Sequence, residues 1–258
     1  MRFVRYQTKN QPPTFGWVQE DLVGALDGSP LSEFRRLPPS LPLESVRLLP
    51  PVLPSKIIGV GRNYVEHAKE HGAEVPDVPL IFLKPPTAVI GPEERIVLPQ
   101  LEKRRVDYEA ELGVVIGRRA KAISRERAKE CVLGYTCFND VSERYAQKSD
   151  GQWTRCKGYD TFAPIGPWIE TEVDPDDLLV ESYLNGEVRQ SARTSDLIFG
   201  VEEIISFISG IMTLVPGDVI ATGTPSGIGK MRPGDVIEIK IEKIGTLKNY
   251  VVEHEQVV

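Results

Sequence analysis

Three carboxylates occupy alternate positions in the segment VDYEAELGVVIG, residues 106–117: Asp107, Glu109 and Glu111. In a β-strand, alternate side chains point to the same face, so the segment predicts a strand with an acidic face. That face is either solvated, or partly buried and neutralised by a cation, because adjacent like charges are otherwise costly. The apolar run that follows favours partial burial, and oxygen donors alone suit Mg²⁺, Mn²⁺ or Ca²⁺ rather than zinc or copper.

Three further acidic or basic residues extend this chemistry. Asp140 ends an apolar, strand-like run and offers a third carboxylate. His67 and Glu70 are three residues apart in a predicted helix, close enough for the carboxylate to orient the imidazole or share its proton. A solvated surface pair is the alternative. His67 and His71 are four residues apart, but the HExxH pattern of a zinc site is absent.

A glycine-rich segment, GTPSGIGKM at 223–231, follows the predicted strand DVIAT. Thr224 stands where a P-loop has its first glycine, and Met231 stands where the magnesium-binding Ser or Thr would be. The segment therefore predicts a tight loop rather than a nucleotide site. Because such loops bring backbone N–H groups close to ligands, Gly223 and Thr224 are candidate anion contacts.

The composition is that of an ordinary globular protein: 258 residues, a net charge of −6, 41% hydrophobic and 26% charged residues. It predicts no membrane span and no signal peptide. Three irregularly placed cysteines predict no disulfide framework, and hence a cytoplasmic location. Scattered Lys and Arg residues argue against a nucleic-acid partner.

Strand patterns outnumber helix patterns, so we predict an α+β fold that is mainly β. Residues 1–52 predict a small N-terminal β domain, and the proline-rich LLPPVLPSK marks its boundary with a main domain at 53–258. Asn63 is predicted to cap a helix that Gly72 ends, and Ser124 to cap another. Strands are also predicted at 168–173, at 181–190 around an Asn-Gly turn, and at 235–253, and a further helix at 201–212.

The ordered segments resemble the fumarylacetoacetate hydrolase family. The motifs that carry the resemblance are GVGRNYVEHAKE, PLIFLKPPTAVIGP, VDYEAELGVVIG, GYTCFNDVSER, GQWTRCKGYDTFAPIGPWI, LIFGVEEIISFIS and LVPGDVIATGTPSGIG. Together they span about 170 residues in the family's order. The resemblance implies a mixed β-roll, a homodimer and a divalent metal, Mg²⁺ or Mn²⁺ with Ca²⁺ as an alternative.

The same resemblance assigns roles to single residues. It implies three metal ligands, an acid/base dyad on a lid helix, a lysine near the substrate oxygen, and polar substrate contacts: Glu109, Glu111 and Asp140; His67 and Glu70; Lys157; Gln147 and Thr224. Asp107 matches no ligand position. Lys84, Arg144 and Asp160 match motif residues whose roles the motifs leave open. The segment ERYA departs from the family pattern at Glu143 and Tyr145, which puts the local substrate contacts in question.

The activity that the resemblance implies is metal-dependent chemistry on 2-oxo acids through a stabilised enolate. It favours an isomerase or decarboxylase of 2-hydroxyhepta-2,4-diene-1,7-dioate-type dioates. Acylpyruvate or fumarylpyruvate hydrolysis and oxaloacetate decarboxylation are the enzymatic alternatives. A metal-stabilised ligand-binding protein is the non-enzymatic one.

Overall fold

The computed structural model describes residues 1–9, 11–70 and 74–254. In these ranges β-strands dominate, which confirms the mainly β, α+β prediction. The strands are β1 Arg2–Gln7, β2 Thr14–Gln19, β3 Leu22–Gly28, β4 Phe34–Arg36, β5 Leu41–Pro42, β6 Arg47–Leu49, β7 Ile57–Gly61, β8 Leu80–Lys84, β9 Val89–Ile90, β10 Arg95–Leu98, β11 Val106–Tyr108, β12 Ala110–Ile116, β13 Val132–Asn139, β14 Ser142–Glu143, β15 Ala163–Glu170, β16 Leu179–Leu184, β17 Glu187–Arg193, β18 Val219–Ala221, β19 Gly229–Lys230, β20 Val236–Ile241 and β21 Gly245–Glu253. The α-helices are α1 Val65–Glu70, α2 Arg144–Ser149, α3 Thr154–Lys157 and α4 Val201–Ile211.

The largest sheet has 13 strands, and its main path runs β4-β3-β2-β1-β15-β13-β12-β18-β7-β8. β1 pairs antiparallel with β15, with Arg2 opposite Glu170, so the strands of the N-terminal segment belong to the same sheet as β7, β12, β13 and β18. The division into domains at residues 52 and 53 stays a prediction.

A five-stranded sheet, β10-β21-β20-β16-β17, packs on the centre of the large sheet. Ile237, Ile239 and Leu247 from this sheet share one buried cluster with Leu112 and Val114 of β12. Each such side chain contributes about 1.5–3 kcal/mol when it is fully buried. Because both faces of β12 are covered, its sequence after Glu111 is almost entirely apolar.

A predicted hairpin turn is confirmed, and a predicted helix cap is wrong. The Asn-Gly hairpin is confirmed: Asn185 and Gly186 have φ of 55° and 82° between β16 and β17. Asn63 does not cap α1, since its buried side chain bonds the backbone of Phe199 and Thr222 instead. Gly72, the predicted end of that helix, lies outside the described residues.

Several predicted elements have different bounds or a different type. Residues 125–131 form a 3₁₀ helix in which the Ser124 side chain makes no capping bond to the backbone. Of the strand expected at 168–173, only residues 168–170 form a strand, as the end of β15. The long strand expected at 235–253 is the hairpin of β20 and β21. Helices α2 and α3 were not predicted, because they have only six and four residues and such short helices carry no periodic signal. None of the described helices is long and apolar enough to cross a membrane.

Candidate active site

The acidic strand is interrupted at Glu109, which lies between β11 and β12. β12 pairs antiparallel with β13, and Ala110 lies opposite Asn139. The Asp140 backbone N–H donates to the Glu109 carbonyl at 2.9 Å, and the Glu109 N–H donates to Asn139 Oδ1 at 3.0 Å. The strand register therefore brings residues thirty positions apart side by side.

Glu109, Glu111 and Asp140 form a compact carboxylate triad. One oxygen from each residue lies within 4.8 Å of the other two. The residues are 3%, 2% and 0% exposed, so the alternative of a solvated acidic face is wrong. Oxygens that share one octahedral Mg²⁺ lie about 3–4 Å apart, which small side-chain adjustments would achieve here.

Two buried lysines compensate part of the triad's charge. Lys157 of α3 donates to Glu109 Oε2 at 2.7 Å and to Asp140 Oδ2 at 2.6 Å. Lys84, at the end of β8, ion-pairs with the other oxygen of Asp140 and donates to the Val141 carbonyl. Burial lowers the pKa of Lys84 despite the nearby Asp140, whereas for Lys157 the charges of Asp140 and Glu109 outweigh burial and raise the pKa.

Arg144 of α2 joins the third acidic residue of the strand to the triad. Its Nε donates to Asp107 Oδ2 at 2.8 Å, and its Nη2 lies 2.7 Å from Glu109 Oε1. Its Nη1 donates to Gln147 Oε1 at 2.8 Å. Burial disfavours the charge on Glu109, but Lys157 and Arg144 outweigh it and lower the pKa of this carboxyl. Asp107 is fully buried, and its ion pair with Arg144 fixes that arginine beside Glu109.

Glu111 is the uncompensated member of the triad, since in the described part of the chain it has no ion-pair partner. Its Oε2 accepts the Gly223 backbone N–H at 2.8 Å. Burial, followed by the charges of Asp140 and Glu109, raises its pKa well above the ordinary value. A buried carboxylate in this situation is stabilised by a cation, and an all-oxygen donor set suits a hard divalent ion. The residues present therefore fit Mg²⁺ or Mn²⁺.

The loop after β18 crosses the start of β12, and both of its predicted anion contacts already have partners in the protein. The Gly223 N–H donates to Glu111. The Thr224 hydroxyl donates to the Ala110 carbonyl at 2.9 Å and accepts from Gln190 Nε2 at 2.8 Å. Thr224 still lines the cavity, but its hydroxyl must release Ala110 before it can donate to a substrate.

The predicted dyad faces the same cavity from α1. His67 Nδ1 lies 3.3 Å from Glu70 Oε2. The imidazole is buried, at 5% exposed, whereas Glu70 is exposed, so only the glutamate side of the pair is solvated. Glu70 Oε1 accepts the Gly227 N–H at 3.3 Å. Burial raises the pKa of Glu70, and the Gly227 bond opposes this shift. His71 lies outside the described residues.

These groups line a cavity of about 490 Å³. Phe82 and Trp153 form its aromatic wall, with ring centroids 5.2 Å apart, and Lys157 Nζ lies 4.9 Å from the Phe82 centroid. All nine predicted site residues except Gly223 line this cavity, and Gly223 touches it through Glu111. Their functional roles stay predictions.

The residues whose roles the motifs left open divide into site and scaffold. Arg144 lines the cavity, and Lys84 lies behind Asp140. Asp160 is exposed and does not line the cavity.

Glu143, where the sequence departs from the family pattern, is the N-cap of α2. Its carboxylate accepts hydrogen bonds from the backbone N–H groups of Tyr145 and Ala146. Glutamate is not among the preferred N-cap residues, so the sequence carries no signal for this cap.

The chain belongs to the fumarylacetoacetate hydrolase family. Residues 56–252 match the family model described as fumarylacetoacetate (FAA) hydrolase C-terminal, and residues 1–51 match one described as Rv2993c-like, N-terminal. The recognition made from the ordered motifs is therefore confirmed.

Relatives and solved structures carry several activities. The chain is 51% identical to the protein MJ1656 of Methanocaldococcus jannaschii, over 78% of this chain and 84% of that protein. It is 42% identical to the oxaloacetate tautomerase FAHD2A of Bos taurus, over 76% and 66%. The structure of 2-hydroxyhepta-2,4-diene-1,7-dioate isomerase from Mycobacterium marinum is 45% identical with a TM-score of 0.90, covering 99% and 100%. Maleylpyruvate hydrolase from Sphingobium sp., in complex with manganese(II) and pyruvate, is 33% identical with a TM-score of 0.81, covering 99% and 100%.

Proposed function

We propose that this protein is a divalent-metal-dependent enzyme that isomerises or decarboxylates dioates of the 2-hydroxyhepta-2,4-diene-1,7-dioate type. The observation that carries the proposal is the buried triad, with Glu111 uncompensated, in the same cavity as His67 and Lys157. Glu109, Glu111 and Asp140 would hold Mg²⁺ or Mn²⁺. When bound, the ion supplies the positive charge that stabilises an enolate of a 2-oxo acid.

The side chains around the triad have distinct tasks. Lys157 would donate a hydrogen bond to the oxygen on which negative charge develops, because its ammonium already faces the cavity beside Glu109. His67, oriented through Nδ1 by Glu70, would move a proton at Nε2 between substrate carbons, or activate a water. Gln147, held by Arg144, would orient the substrate.

Isomerisation is the first choice because the isomerase from Mycobacterium marinum is similar over its whole length. The manganese and pyruvate complex of maleylpyruvate hydrolase favours C–C bond hydrolysis of an acylpyruvate or fumarylpyruvate as the second candidate. Both reactions would use the same dyad and the same lysine. They differ in whether His67 acts on a substrate carbon or on a water.

A substrate panel tests the proposal. Purified protein with Mg²⁺, Mn²⁺, Ca²⁺ or EDTA is offered the dienedioate, fumarylpyruvate, acetylpyruvate and oxaloacetate in parallel. We expect turnover of the dienedioate that EDTA abolishes and Mg²⁺ or Mn²⁺ restores. Faster loss of another substrate would replace the first choice, and metal-independent turnover would reject the metal assignment. Ligand binding without any turnover would make the chain a binding protein.

A further inference from the structure

The outer part of the cavity is basic and has no role in the chemistry proposed above. Arg62, Arg105 and Lys148 line it. They come from three separate parts of the chain: the turn after β7, the segment before β11, and α2. The Arg105 side chain is 51% exposed and Lys148 is exposed, whereas the triad is buried. Arg62 is half-buried, so all three cations lie nearer the solvent end of the cavity than the triad does.

These cations are poorly neutralised by the protein. Arg105 Nε lies 3.1 Å from Asp107 Oδ1, but the other oxygen of Asp107 belongs to Arg144, so one carboxylate serves two guanidinium groups. Arg62 lies over the Trp153 ring, 5.8 Å from its centroid. Within residues 1–9, 11–70 and 74–254, neither Arg62 nor Lys148 forms an ion pair with a carboxylate. Their charge is available to a ligand.

The charges that line the whole cavity also indicate the charge of its ligand. Five cations and five carboxylates line it: Arg62, Arg105, Arg144, Lys148 and Lys157, and Glu70, Asp107, Glu109, Glu111 and Asp140. With all ten ionised these charges cancel, and Lys84 behind Asp140 adds one positive charge, so a divalent metal ion would leave the site with three positive charges. A ligand with two negative charges compensates more of this excess than a ligand with one.

We propose that Arg62, Arg105 and Lys148 form an outer anion subsite that binds the distal carboxylate of a dianionic 2-oxo acid. The orientation rests on the proposed function, because it places the 2-oxo acid end of the ligand at the triad. The exposed distal carboxylate then meets three donors from three parts of the chain, and charge-assisted hydrogen bonds to such a group are among the stronger polar contacts. The subsite selects dioates over acylpyruvates whose far end is uncharged.

Calorimetric binding in Mg²⁺ of two six-carbon acids tests the subsite without relying on turnover. 2-Oxoadipate carries a distal carboxylate, and 2-oxohexanoate lacks it. We expect the wild-type protein to bind 2-oxoadipate about tenfold more tightly, and Lys148→Met to reduce this preference at least about threefold. Lys148→Arg should retain most of it. Lys240→Met removes an exposed charge on β20 that does not line the cavity, and it should leave the preference unchanged.

Other outcomes separate this proposal from the proposed function. Equal affinities in the wild-type protein, no binding of either acid, or an unchanged preference in both Lys148→Met and Arg105→Met would overturn the subsite. A preference that falls in these variants, in a protein that turns over no 2-oxo acid, would uphold the subsite and reject the enzymatic assignment. Turnover of 2-oxo acids without any preference would reject the subsite alone.

Discussion

The three carboxylates of the triad differ in how the protein compensates their charge. Glu109 has Lys157 and Arg144, and Asp140 has Lys84 and Lys157. Among the described residues, Glu111 has only the Gly223 backbone N–H as a hydrogen-bond donor. A cation is therefore needed most at Glu111, and this residue offers the sharpest test of the metal site.

Glu111→Gln should lower Mg²⁺ or Mn²⁺ affinity at least about a hundredfold, because loss of even an outer-shell partner costs up to that factor. The metal-free protein should become more stable by about 1 kcal/mol or more, since a poorly compensated buried charge is removed. Metal titration calorimetry and chemical unfolding measure the two effects. Glu66→Gln, at an exposed pair with Lys69, is the control. Unchanged metal affinity would contradict the ligand assignment.

His67→Ala should lower kcat by a factor of about 10²–10⁴, the usual range for a lost general acid or base, and leave metal affinity within about twofold. Steady-state kinetics and metal titration on the same preparation separate the two roles. His254→Ala, at an exposed residue outside the cavity, should change neither. A parallel loss of metal affinity would show instead that His67 is a ligand.

The raised pKa of Glu70 predicts how kcat/KM depends on pH on the acid side. Burial raises its pKa above 4.5, so the carboxylate that orients His67 becomes protonated at a higher pH than an ordinary glutamate. The kcat/KM should therefore fall on acidification with a midpoint above pH 4.5. Glu70→Gln should have a lower kcat/KM at neutral pH and should lack this limb. The same limb in Glu70→Gln would assign it to another group.

At the scale of elements, the site depends on the close packing of the loop after β18 against Asn63. The loop after β18 reaches Glu111 only because Gly223 has a φ of 104°. A Cβ on Gly223 would lie 2.6 Å from the Asn63 Cβ, and Asn63 itself bonds Thr222 and Phe199. One buried asparagine thus joins this loop to the segment after β7 and to the segment before α4.

Gly223→Ala should lower the free energy of unfolding by about 2 kcal/mol or more, from backbone strain and overpacking together, and should weaken metal binding through Glu111. Gly186→Ala is a matched control: its φ is 82°, but no atom lies within 4 Å of the added Cβ. It should cost about 1 kcal/mol and leave metal affinity unchanged. Equal costs in the two variants would exclude the steric contact with Asn63 as the cause.

For the whole molecule, we predict a homodimer. β8 is the last strand on one side of the large sheet, and it exposes Leu80 and Leu83, which are 40% and 49% exposed. An exposed apolar edge strand is a template for pairing with another chain.

Light scattering after size-exclusion chromatography should give the mass of a dimer at micromolar concentration. Leu83→Lys should shift the protein towards monomer, because a charge on the edge strand opposes pairing. Val188→Lys, 53% exposed on the edge strand β17, should remain dimeric. A monomeric wild-type protein would contradict the prediction, and a monomeric Val188→Lys variant would place the interface at β17.

The sequence by itself determined the family, the mainly β fold and the identity of the clustered carboxylates. Period-2 geometry placed Glu109 and Glu111 on one face, and the ordered motifs added Asp140. The sequence also located the Asn-Gly hairpin, because a turn with two positive φ angles has a strong local preference for these residues. The strand face and the hairpin are readable because they depend on neighbours within a few residues, and the family is readable from the order of its motifs.

Tertiary structure alone decided the burial and the charge compensation of the site. Asp107, an apparent bystander on the acidic strand, is the partner of Arg144, which lies 37 positions away. Asn63 is a long-range bridge and not a helix cap, and Glu143 caps a helix too short to predict. Which cation neutralises which carboxylate depends on contacts between residues far apart in the chain, and local periodicity carries no information about them.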